Sequence, residues 1–253
     1  MLIKTLKTEK LETYVYDTRS EMGKAAAKEA ARAINEILKE KEFANVIFAA
    51  APSQNEMLAS LLNEDIDFSR VNAFHMDEYV GLGIEDGASF ARYLSDHIFS
   101  LAGFASVNLI PAKNDIETAC EKYTELLEKF RPDVVCMGIG ENGHIAFNDP
   151  PVADFNDPKV IKEVQLDEIC RMQQVHDGCF PSIDKVPKYA LTLTIPTLMS
   201  AKYLICTVPA ITKANAVEAM LFGKYGEICP ATSLRTHSGA KMFLDRDSAS
   251  KVI

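Results

Sequence analysis

The chain has 253 residues, 47% hydrophobic and 25% charged, enough to bury one large core, and this excludes the disordered and fibrous classes. Its formal charge of −9 argues against a nucleic-acid groove or an anionic membrane surface as main partner, because both require clustered Lys and Arg. A small anionic ligand, held by one or two well-placed donors, stays allowed.

The first residues, Met1 to Lys10, alternate lysines with single apolar residues and lack the apolar core of a signal peptide. No later run approaches the roughly 20 apolar residues that cross a bilayer, so a cytoplasmic protein is expected. Cys120, Cys136, Cys170, Cys179, Cys206 and Cys229 are widely spread, with no C-x-x-C pair and no His at zinc-finger spacing. They read as reduced thiols.

Thr18-x-x-Glu21 resembles a capping box, and Met22, Ala26, Ala30, Ile34, Ile37 and Leu38 then fall on one helical face, predicting a helix over 20–41. It leads into Val46 to Ala50, a continuous apolar run suited to a strand covered on both faces. Comparable runs follow at Val71 to His75, Val107 to Ile110, Val134 to Gly138, Tyr189 to Ile195 and Tyr203 to Val208. Helix-like segments near 54–63, 88–100, 116–130 and 212–222 separate most of them. This alternation predicts a single α/β domain over 1–253, with a Rossmann-like, mostly parallel sheet and helices on both faces. The stretch 150–187, rich in Pro, Asp and Gln and weak in period, reads as a loop or small lid-like insertion.

In such folds ligands bind beyond the carboxyl ends of the strands. Three strand ends carry unusual residues. Ala51-Pro52-Ser53-Gln54-Asn55-Glu56 forms a strand-to-helix turn in which Ser53 is suited to cap the next helix. His75-Met76-Asp77-Glu78 puts two acids after an apolar strand, either as a solvated turn at the sheet edge or as a proton shuttle in a desolvated cleft. Gly138-Ile139-Gly140-Glu141-Asn142-Gly143-His144 continues to Asp149-Pro150. Its glycines allow close backbone approach, and an acid five residues after the histidine can fix the ring's tautomer and support its charge. It is no dinucleotide fingerprint, since no helix is signalled after it. There is also no G-x-S-x-G, H-E-x-x-H or G-K-[ST].

Asn72 to Leu82, Gly138 to Pro150, Val186 to Thr192 and Thr212-Lys213-Ala214 together resemble, in order and spacing, the signature segments of glucosamine-6-phosphate deaminases. The resemblance spans nearly the whole chain. It implies a Rossmann-like sheet and a conversion of an aminosugar phosphate to a ketose phosphate and ammonia, with no cofactor and no metal. Asp77 falls on the family's base for proton transfer between carbons 2 and 1, His144 on the ring-opening acid/base, and Lys213 on a phosphate ligand. Asn142 and Asp149 stand where many relatives have Asp and Glu, and Asn142 is expected to orient a ring N–H. Ser53, Gln54, Asn55, Gly140 and Gly143 complete the expected substrate-binding set. Relatives place Gly-Gly-Thr where this chain has Gln54-Asn55-Glu56, and Glu56 is expected to repel a bound dianion if it faces the pocket. The family's phosphate-binding Arg has no counterpart in 173–180, although Arg171 lies near.

Two other classes compete. 6-Phosphogluconolactonases share the fold and a related Gly-x-Gly-x-x-Gly-His segment, and a sugar-phosphate-binding regulator would keep the fold without turnover. Ammonia plus ketose phosphate separates the deaminase from both. The expected partner is a small sugar phosphate, with no nucleic acid and no membrane, and a homo-oligomer is compatible with the resemblance.

Overall fold

The computed structural model describes residues 1–176 and 178–253. A hairpin of β1 (Leu2–Thr8) and β2 (Leu11–Tyr16) precedes α1 (Arg19–Glu40), β3 (Ala44–Phe48), α2 (Asn55–Leu61), β4 (Val71–His75), β5 (Asp77–Tyr79) and α3 (Phe90–Leu94). There follow β6 (Ser106–Asn108), α4 (Ile116–Lys129), β7 (Val134–Met137), β8 (Ile161–Gln165), α5 (Glu168–His176), β9 (Tyr189–Leu193), α6 (Ile195–Met199), β10 (Tyr203–Val208), α7 (Ala214–Phe222) and β11 (Ala240–Leu244).

Eight strands form one sheet in the order β1-β2-β11-β10-β7-β3-β4-β6. All pairs are parallel except β1 with β2. The pleat sorts the apolar runs to opposite faces. Val46, Phe48, Val134, Cys136 and Ile205 join the core under α1, α2 and α3, whereas Ile47, Val135, Met137, Leu204 and Cys206 join the core under α4, α6 and α7. Residues two apart share a face, so a run apolar at every position is what a strand with helices on both sides needs. The α/β architecture read from the alternation is thus the one observed.

Local signals hold at α1, where the Thr18 hydroxyl accepts the Glu21 N–H at 3.2 Å. The Tyr189–Leu193 run, however, is not part of the main sheet. It is the centre of a second, antiparallel sheet in the order β5-β9-β8. Periodicity does not distinguish the two placements, because β9 is covered on both faces in either one. The stretch 150–187 is also more ordered than its composition predicts. Ile161 and Val164 supply the buried positions of β8, which β9 pairs along its length, and α5 follows. Asp177 lies outside the described residues. The hairpin and β11 carry no sequence signal used above; β2 alternates fully and partly buried residues and adds to β11 at the sheet's end. Among the described residues no helix is long and apolar enough to cross a membrane.

The crossing of α1 with α2 explains one glycine. A Cβ on Gly23 would lie 2.4 Å from Glu56 Cβ and 2.8 Å from the Glu56 carbonyl carbon. Ala gains about 1 kcal/mol over Gly in helix propensity, yet forced overpacking costs about 1–3 kcal/mol. Gly23→Ala is therefore expected to lower Tm and Gly23→Val to lower it further, in thermal melts followed by circular dichroism. An unchanged or raised Tm for both would show that the helices part freely.

Candidate active site

The chain runs from β3 outward to β4 and β6, then returns to place β7, β10 and β11 on the other side of β3. The connections reverse between β3 and β7, and at such a switch point the loops beyond the carboxyl ends diverge to leave a crevice. An open cleft lies there. Ser53 and Gln54 line it from the turn after β3, Asp77 from beyond β4, Gly138, Gly140 and His144 from beyond β7, and Lys213 from beyond β10. Phe90 and Phe147 supply apolar walls, and α5 adds Gln173 and Gln174.

The two adjacent acids separate by the pleat of β5. The Glu78 carboxylate accepts main-chain N–H groups of Tyr79 at 2.9 Å, Phe90 at 3.1 Å and Ala91 at 2.9 Å, capping the start of α3. Burial pushes its carboxyl up to about 7 against the pull of these donors. Asp77 faces the cleft, only 7% exposed. Burial, reinforced by the neighbouring Glu78 charge, holds its carboxyl well above the usual carboxylate range. The solvated-turn alternative is therefore set aside: this acid is desolvated and faces a cleft. His75 is structural. Its Nε2 accepts the Ile110 N–H at 3.1 Å, and burial lowers its pKa to about 3, so it stays neutral.

The segment after β7 is built around the His144 ring. A Cβ on Gly140 would fall 2.1–2.3 Å from three ring atoms, so the imidazole lies flat on this glycine. Gly143 has φ of +82° and would drive a Cβ to 2.6 Å from Cys229 Sγ. It shapes the turn without lining the cleft. His144 Nδ1 sits 2.8 Å from Asp149 Oδ1, a close contact between ring and carboxylate. Burial raises the Asp149 carboxyl, but His144, with Asn142 and Cys170, outweighs it and holds the group below its ordinary range. Asn142 does not orient the ring. Its carbonyl accepts the His144 main-chain N–H at 3.0 Å and its amide donates to Asp149 Oδ1 at 2.9 Å. The asparagine sits two residues before the histidine, a spacing at which an Asx side chain closes on the backbone rather than on the neighbouring ring.

The turn after β3 departs further from expectation. Ser53 caps nothing, because Pro52 opens a 3₁₀ turn through Gln54 before α2 starts. Gln54 is buried, accepting the Thr207 hydroxyl at 2.8 Å and donating to Ser53 Oγ at 3.2 Å. Asn55 lies outside the cleft lining, and its carbonyl accepts the Tyr93 hydroxyl. Glu56 does not face the cleft either: it pairs with Arg19 at 2.7 Å. Arg171 is turned elsewhere, donating to the Ile183 and Val186 carbonyls at 2.6 and 3.0 Å. Gln173 and Gln174 were not selected from sequence. The Gln-Gln pair in a segment of otherwise weak period was the available signal, and helical spacing on α5 turns both inward; Gln173 also accepts the Glu141 N–H at 3.0 Å.

Ionised Asp77 is a burden on the fold. A carboxyl whose folded pKa is raised contributes stability that is present below its unfolded pKa, near 4, and is lost as pH rises through the folded pKa. Asp77→Asn removes that loss. The variant is expected to melt above the parent at pH 8, by roughly 2–4 °C for each kcal/mol relieved, with the gain fading toward pH 4. A gain independent of pH would show that Asp77 is not desolvated.

Comparison with known proteins extends these observations over the chain. The sequence profile described as glucosamine-6-phosphate isomerases/6-phosphogluconolactonase matches residues 17–243. Glucosamine-6-phosphate deaminase 1 of Bacillus subtilis (strain 168) is 34% identical over 229 residues, covering 87% of this chain and 93% of the relative. The solved structure of a monomeric glucosamine-6-phosphate deaminase superposes with a TM-score of 0.86 at 31% identity, covering 94% of this chain and 98% of that one. The 6-phosphogluconolactonase of Thermotoga maritima shares the fold, with a TM-score of 0.76 at 20% identity over 93% of this chain and 100% of that one. With its acid, histidine and glycines set around one cleft, the chain belongs to the glucosamine-6-phosphate isomerase/6-phosphogluconolactonase family.

Proposed function

We infer that this cleft converts glucosamine 6-phosphate, or a close relative, to a ketose phosphate and ammonia. The observation that carries the reading is that Asp77, desolvated and raised in pKa, shares one cleft with His144. An acid at this strand end and a supported imidazole supply the two proton-transfer groups the chemistry needs.

His144 takes the anomeric hydroxyl proton and returns one to the ring oxygen, opening the sugar. Asp149, kept ionised, steadies the transient imidazolium, and Asn142 holds both the carboxylate and the histidine backbone in place. Asp77 then removes the carbon-2 proton and delivers it to carbon 1, while the carbon-1 oxygen gains a proton and the carbon-2 amine becomes an imine. Water adds at carbon 2 and ammonia leaves, so one water is consumed for each ammonia released. Burial makes Asp77 a stronger base than an exposed carboxylate, and the Phe90 and Phe147 walls limit water beside it. Lys213, with Ser53 and Gln54, faces the phosphate end of the ligand. The segment 150–187, whose helix α5 brings Gln173 and Gln174 to the cleft, acts as the lid.

Ammonia release from glucosamine-, galactosamine- and mannosamine-phosphates tests the reading, and no release from any of them would overturn it. Asp77→Asn should fold and lose about 100- to 10,000-fold in kcat, the usual contribution of a general base. His144→Gln should slow the cyclic substrate more than an open-chain one, which bypasses ring opening; equal slowing would assign the histidine another task.

A further inference from the structure

Three side chains of different chemistry converge beside the cleft from two parts of the chain. His144 and Asp149 come from the segment after β7, and Cys170 comes from α5. An imidazole nitrogen, a carboxylate oxygen and the thiol sulfur lie within 4.8 Å of one another, and all three residues are buried. Asp149 Oδ2 is, in addition, a buried atom with no aligned hydrogen-bond partner. Such orphans are rare because each gives up hydration without replacement. One of them beside a thiol and an imidazole marks a place that a further partner would complete.

We propose that the His144–Asp149–Cys170 cluster binds a thiophilic divalent cation of the zinc class, which switches the cleft off by withdrawing His144 from proton transfer. A mixed N, O and S donor set suits zinc and disfavours magnesium or calcium. Bonds of about 2.0–2.3 Å in a tetrahedral site set donor atoms roughly 3.3–3.8 Å apart, within reach of small side-chain rotations from the observed spacing. On binding, Cys170 releases its proton to solvent, His144 enters as the neutral ring and Asp149 as the carboxylate. Two anionic donors then balance the ion's charge, as burial requires. The fourth position is left for water or a sugar hydroxyl on the cleft side, which the His144 ring already lines. A ring metallated at Nδ1 keeps its Nε2 proton and no longer exchanges protons near neutral pH. The ion also ties α5 to the segment after β7. The inhibitory consequence rests on the deaminase reading; the binding site does not.

The test is titration of the full chain with Co²⁺ as a spectroscopic stand-in, followed by zinc inhibition of ammonia release. One equivalent should produce a thiolate-to-cobalt charge-transfer band in the near ultraviolet, with the visible absorption of a four-coordinate ion, and Zn²⁺ should displace it. Zinc should inhibit turnover, a chelator should restore it, and C170S should lose the band and resist zinc when normalised to its own metal-free rate. Cobalt binding without the charge-transfer band, or no binding, would overturn the proposal from the parent protein alone, whatever the folding of C170S. Equal zinc inhibition of parent and C170S would overturn it as well. A protein that shows the band but releases no ammonia from any aminosugar phosphate keeps the metal site and fails the activity reading instead.

Discussion

The cleft depends on the Glu78 carboxylate accepting three main-chain N–H groups at the start of α3. Adjacent residues of a strand point to opposite faces, so anchoring Glu78 on one side commits Asp77 to the other. The same contact ties α3 to the second sheet, where Tyr79 packs on Phe90 and Phe147 with ring centroids 4.8 and 5.4 Å apart. A structural carboxylate thus aims a chemical one. The two differ in environment as well as direction, since Glu78 is surrounded by donors and Asp77 has none among the described residues.

The second half of the site is organised by contact rather than by charge. The His144 ring rests on Gly140, and the Gly140 N–H donates back to the His144 carbonyl at 2.9 Å. Side chain and main chain of the same loop therefore set each other's position. Because β4 and β7 lie on opposite sides of the switch point, the two proton-transfer groups reach the cleft from opposite sides. Packing of the sheet as a whole is what keeps them in register.

Much of this was legible beforehand, for reasons that differ by residue. Apolar runs fully buried on both faces announced the central strands, and an acid pair directly after such a run left a cleft or a solvated turn open, with Asp77 singled out only by the family resemblance. The spacing of His144 and Asp149 foretold their meeting. Which of two neighbouring acids would face the cleft was not written in the sequence, because it depends on the pairing of β5 with β9. Likewise Asn142 could be assigned to the site but not to its partners, and Glu56 could not be cleared from the pocket without seeing Arg19. β11 forms through long-range pairing with β10 and β2, which local pattern does not record, whereas the β1–β2 hairpin closes locally across Glu9 and Lys10.

The main sheet stops at β1 on one side and at β6 on the other. An open rim is a template for another strand, from the same or a foreign chain, and strand addition is a route to fibrils. Here one rim carries Lys4 and Lys7 along a largely exposed strand, with the Lys4 ammonium donating to the Val252 carbonyl at 3.2 Å. The other rim is a strand of only three residues, Ser106–Asn108. A neighbouring chain would meet charge at one border and too little length at the other. Crowded copies of this protein are thereby steered away from edge-to-edge growth, and any ordered association is left to the helical faces.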